Sequence, residues 1–235
     1  MMKFIFAYLA IALLTTQAIA SSETGMETIE LKIVNIDDPE KSAVLTSPMK
    51  PVKFPISTEK TRFIDALSKL VVTKELVGLA ATQVGVAEPI TAYYVPKKAL
   101  AVRYDVTEEV PLTVLINPSY EPIEEYGQTL DWEGCASGKQ HYGKIWRWAA
   151  IKYKGQDING NPVEGKAYGF LARLLQHEIS HCNSKMCIHS YDPDSPQGTQ
   201  EGLKPMRLTE LAAKKEEMGL GKDDNFPFIA NPLLN

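Results

Sequence analysis

His177-Glu178-Ile179-Ser180-His181 is an H-E-x-x-H sequence and the strongest chemical signal in the chain. On a helix, imidazoles four residues apart lie one turn from each other, so both can hold one metal ion. Glu178, beside the first imidazole, is placed to act as general base on a water that the ion activates. The plain alternative is two core histidines bonded to neighbours beside a solvent-facing glutamate. The chain has only 4 histidines, which leaves little room for this spacing to arise by chance.

A catalytic metal needs a third protein ligand and an open fourth position. Downstream, Ser184 and Cys187 stand where a metzincin would place Gly and His, so that continuation fails. Glu201 is a possible third ligand of a metallopeptidase, but Gly198-Thr199-Gln200-Glu201-Gly202 does not read as a helix. Upstream, Glu133-Gly134-Cys135-Ala136-Ser137 offers a thiol, and thiolates bind divalent metals strongly. A lone cysteine is otherwise a small buried apolar residue. In Gly78-Leu79-Ala80-Ala81-Thr82-Gln83, small residues allow close backbone approach and Gln83 adds an amide donor. Alone, that segment reads as a turn or helix start.

The elements that position these residues follow from periodicity. Residues 57–75 predict a helix capped by Ser57, with Phe63, Ile64, Leu67, Leu70 and Val71 on one face. Residues 167–182 predict a second helix, apolar over so wide an arc that it must be buried, and it carries the H-E-x-x-H. A third helix is predicted over 208–218, followed by a loose tail. Strands are predicted over 28–36, 90–95, 112–117 and 149–154, with a hairpin-type turn at Asn159-Gly160. The pattern predicts one α+β domain.

Taken together and in order, the three segments resemble the peptide deformylase family. Its motifs are a G-x-G-x-A-A-x-Q loop, an E-G-C-x-S segment and a Q-H-E-x-D-H helix, the last matched here from Gln176 to His181. The resemblance spans residues 29–191 and implies antiparallel strands packed around a central metal-binding helix. It implies that Cys135, His177 and His181 hold one divalent ion, Fe(II), with Zn(II) or Ni(II) as substitutes. Glu178 then shuttles the proton, while Gln83 and the backbone N–H of Ala136 meet the oxyanion. Val77, Gly78, Phe170 and Leu174 are implied to bind a substrate whose methionine side chain enters an apolar pocket. The implied reaction removes the formyl group from N-formylmethionyl peptides and releases formate. Leu76 and Ser180 depart from the family's usual Gly and Asp, so reduced activity or a silent peptide-binding relative is the competing reading.

Lys and Arg number 25 against 29 Asp and Glu, a formal charge of −4 that offers no basic footprint for nucleic acid. Residues 1–20 read as a secretory signal peptide with cleavage after Ala20. The expectation is therefore an exported, periplasmic or secreted monomer, with no membrane association after leader removal. Residues 26–220 are expected to form the catalytic domain and 221–235 its tail. Cys182 and Cys187 either pair in that oxidising setting or remain buried free thiols, the second reading being favoured.

Overall fold

The Ser57 hydroxyl accepts the amide of Lys60, 3.2 Å away, and opens helix α1, Thr58–Thr73. Ile64, Leu67 and Val71, spaced at three and four residues, bury one face of it. The computed structural model describes residues 29–234. After α1 come β1 (Gly78–Ala80), β2 (Ile90–Val95), β3 (Val110–Pro122), β4 (Gln128–Gly134), β5 (Tyr142–Trp148), β6 (Ala150–Gln156) and β7 (Pro162–Tyr168). Helix α2 (Gly169–Cys182) and helix α3 (Gln200–Glu217) complete the order.

The strands form a five-stranded antiparallel sheet in the order β1-β2-β3-β6-β7 and a separate two-stranded ribbon, β4-β5. Alternation along the strands divides the core between the two sheet faces. Leu115 and Tyr93 join the cluster around Phe170, Leu174, Leu175 and Ile179 of α2. Their neighbours Ile116 and Ala92 join the cluster around Ile64, Leu67 and Val71 of α1. The two helices thus cover opposite faces, and α2 is buried along nearly its whole length.

The predicted α+β class and buried second helix match this architecture, and strand 90–95 coincides with β2. Other expectations need correction. Residues 29–36 form no strand; Val34 N–H bonds to Gln83 and Ile36 N–H to Ser137, so the alternation serves docking rather than a ladder. Helix α3 starts at Gln200, well before residue 208, because Thr199 caps it by accepting from the Gly202 amide at 3.0 Å. Gly202 and Pro205 hid that start.

The tail is not loose. Phe226 is 1% exposed, and its N–H bonds to Leu100 O while Ile229 N–H bonds to Val106 O. β1, β4, β5 and β7 were not predicted: β1 has three residues, β4 and β5 carry polar side chains on both faces of a ribbon, and β7, interrupted by Gly165, is marked in the sequence only by the Asn159-Gly160 turn before it.

Candidate active site

Three segments far apart in sequence meet at α2. Cys135 follows directly on β4, Gln83 lies in the 3₁₀ turn Ala81–Val84 after β1, and His177, Glu178 and His181 are on α2. His177 Nε2 and His181 Nε2 are 3.1 Å apart, and His181 Nε2 is 3.4 Å from Cys135 Sγ. A tetrahedral ion bound about 2.1 Å from nitrogen and about 2.3 Å from sulfur sets such separations at roughly 3.4 and 3.6 Å. The donor set fits one divalent cation, and Cys135, His177 and His181 form a group within 4.8 Å. A second group, Glu133, His177 and Cys187, shares His177, but both Glu133 oxygens are already taken there.

Glu133 organises the centre from behind. Its Oε1 lies 2.6 Å from His177 Nδ1, which turns Nε2 of that ring toward Cys135 and His181. Arg147 donates to both Glu133 oxygens, at 2.6 and 3.1 Å, and reaches Ser180 Oγ at 3.2 Å. Burial opposes ionisation of Glu133, but the charges of His177 and Arg147 prevail and hold its carboxyl far below the usual range. Burial alone would lower His177, and the Glu133 carboxylate outweighs it and pushes that imidazole up. Burial, reinforced by His177, holds His181 well below its ordinary value, in the neutral form that binds metals. The Nδ1 of His181 is buried without a hydrogen-bond partner.

Glu178 is buried, and that burial pushes its carboxyl up to about 7 against the opposing effects of His177 and the Thr91 hydroxyl. Thr91 Oγ1 donates to Glu178 Oε2 at 3.3 Å. Gly78 makes room for the carboxylate: a Cβ there would collide with Glu178 Oε1. Gln83 accepts the Ala80 amide on Oε1 at 2.8 Å, which aims its Nε2 at Cys135 Sγ, 3.2 Å away, and at Ser137 Oγ, 3.3 Å away.

A cleft of about 130 Å³ runs past these groups, lined by Val77, Gly78, Gln83, Ala136, Phe170, Leu174, His177 and Glu178 among others. Val77, Gly78, Gln83, Cys135, Ala136, Phe170, Leu174, His177, Glu178 and His181 therefore lie in or against one site. Leu76 lines the same cleft. Glu201 is exposed on the first turn of α3 and belongs to neither metal group, which removes the metallopeptidase reading. All three cysteines are buried free thiols. Sequence reasoning missed Thr91 and Arg103, which strand pairing and a loop bring here, and Arg173, which lies one turn before His177 on α2.

The model of the family described as polypeptide deformylase matches residues 30–197, well over half of the chain. The chain belongs to the peptide deformylase family. "Peptide deformylase 2" of Rickettsia conorii is 38% identical over 157 residues, 66% of this chain and 77% of that protein. A peptide deformylase of Halothermothrix orenii is 38% identical over 158 residues, 67% of this chain and 91% of that one. The crystal structure of peptide deformylase from Thermotoga maritima superposes with a TM-score of 0.59 at 27% identity, covering 70% of this chain and 99% of that one.

Family membership overturns the exported location expected from residues 1–20. Deformylase relatives are typically cytoplasmic, and among the described residues there is no apolar, signal-like helix. Among the described residues no helix is long and apolar enough to cross a membrane. The leader-like run itself lies outside the described residues.

Proposed function

We propose that Cys135, His177 and His181 hold one divalent metal ion and that the cleft beside it hydrolyses the N-formyl amide of a formylated peptide. Family membership supports an enzyme acting on that bond, with formate and a free amino terminus as products. The observation that carries the reading is the meeting of Cys135 Sγ, His177 Nε2 and His181 Nε2 beside Glu178 and Gln83. The family resemblance makes the ion Fe(II), with Zn(II) or Ni(II) as substitutes, and a thiolate with two imidazoles accepts each of them.

When bound, the ion supplies a Lewis acid and an activated water. Glu178, its carboxyl raised by burial, takes the proton from the attacking water and passes it to the leaving amine nitrogen. The Gln83 amide, held by Ala80, and the backbone N–H of Ala136 face the oxygen on which charge develops. Val77, Gly78, Phe170 and Leu174 hold the first residue of the peptide. All these groups come from one chain, so the site is complete without a partner. Metal analysis tests the ligand set: Cys135→Ser should lose the ion, whereas Glu201→Ala should keep one per chain. A full metal complement in Cys135→Ser would contradict the assignment.

A further inference from the structure

The cleft carries a positive charge that the reaction above does not use. Arg103, on the connection between the 3₁₀ turn Lys97–Ala101 and β3, lines the cleft with Phe170, Arg173 and Leu174. Its guanidinium stands over the Phe170 ring, Cζ 4.8 Å from the centroid, and Arg173 Cζ lies 5.7 Å from the same ring. The pocket read from sequence as apolar is therefore cationic along one side.

Among the described residues Arg103 makes no ion pair or side-chain hydrogen bond, and its close contact is that ring. The nearby carboxylates are already engaged. Arg173 binds Asp105 at 2.8 Å and Asp131 at 2.9 Å, and Arg207 binds the other oxygen of Asp131 at 2.6 Å. Three guanidinium groups thus face two carboxylates, and the third guanidinium borders the cleft. Burial, then repulsion from Arg173 and Arg207, works against the charge on Arg103. A sheltered cation without a counter-ion is costly unless a ligand supplies one. Glu133 cannot answer it, because Arg147 and His177 hold both its oxygens.

The loop that carries Arg103 is pinned at both sides. Phe170 N–H bonds to Asp105 O, and Gly169 has φ +59° with that carbonyl oxygen where a side chain would stand. On the other side the C-terminal segment bonds to Leu100 and Val106. The guanidinium is presented to the cleft by a fixed backbone, which is the preorganisation a recognition group needs.

We infer that Arg103 recognises an anionic group on the substrate, so that this chain prefers N-formyl peptides with a carboxylate close to the formylated end. This rests on the deformylase reading and deepens it. The carboxylate is either an acidic first side chain or the free terminus of a very short peptide, and both place an anion within a residue or two of the scissile amide. Arginine pairs such a group through two parallel N–H bonds.

The test compares formate release by the metal-loaded full chain from three probes: formyl-Met-Ala-amide, formyl-Glu-Ala-amide and formyl-Met-Ala with a free carboxylate. At least one anionic probe should exceed the neutral amide in kcat/KM by roughly 10- to 100-fold, mostly through KM, as a charge-assisted hydrogen bond gives. The probe that gains identifies the source of the carboxylate. Arg103→Gln should collapse that ratio and Arg103→Lys should restore part of it, a pattern that loss of folding alone would not produce. Equal kcat/KM for all three probes, or a ratio unchanged in Arg103→Gln, would overturn the inference. Absence of formate from every probe would instead contradict the deformylase reading. The preference is then read from calorimetric binding of the same probes to Glu178→Gln, where equal affinities or no binding would overturn it.

Discussion

At the scale of single residues, Glu133 does more than its place beside Cys135 suggests. It fixes the ring orientation of His177 and pairs with Arg147, whose third contact is Ser180 Oγ. A serine in place of the usual aspartate therefore still gives Arg147 an acceptor, and the carboxylate behind the histidine is Glu133. Removing the Glu133 charge should loosen the centre without touching a ligand. Glu133→Gln is expected to weaken metal binding about 10- to 100-fold, measured by titration against a competing chelator. A change smaller than about threefold would show that Glu133 does not orient the ligand. The proposed ligands and Glu178 were legible as candidates because helical spacing and a short Gly-Cys segment encode them locally. Thr91 and Arg103 were not, since a lone threonine in a strand and a lone arginine in a loop acquire meaning only through pairing and loop docking.

At the scale of elements, the start of α2 is the junction on which the site depends. Gly169 takes φ +59° between β7 and α2 and leaves space for the Asp105 carbonyl, which accepts the Phe170 amide at 2.9 Å. A side chain there is strained in conformation and also displaces the Arg103 loop. Gly169→Ala should cost about 1–3 kcal/mol and lower the melting temperature by roughly 3–10 °C in a calorimetric scan. An unchanged melting temperature would mean that the junction relaxes freely. Helices α1 and α2 were readable because their apolar stripes repeat at helical spacing and are long. Residues 29–36 misled because alternation marks a chain with one buried side, whether or not a neighbouring strand pairs with it. α3 was read too late because Gly202 and Pro205 outweighed the Thr199 cap.

At the scale of the whole molecule, the C-terminal segment closes over the loop that presents Arg103. Phe226 is buried against Tyr104, ring centroids 6.2 Å apart, and the backbone on either side bonds to Leu100 and Val106. Composition and periodicity gave no sign of this, because a Pro- and Asn-containing stretch with isolated aromatics carries no repeating pattern. Phe226→Ala should cost about 3–5 kcal/mol in denaturant unfolding, and a loss below about 1 kcal/mol would show that the segment is not part of the core. The family, its fold and its reaction were nonetheless present in three short motifs, whereas the location inferred from the first 20 residues did not survive comparison with relatives. The central claim is that one ion held by Cys135, His177 and His181 works with Glu178 to cleave an N-formyl amide. Its most direct test is anaerobic formate release from the three formylated probes by chain loaded with Fe(II), with Glu178→Ala measured alongside. The account predicts one formate per peptide cleaved by the unaltered chain, and at least about a 100-fold loss in Glu178→Ala at an unchanged metal content. No formate from any probe with Fe(II), Ni(II) or Zn(II), or equal turnover in the variant, would contradict it.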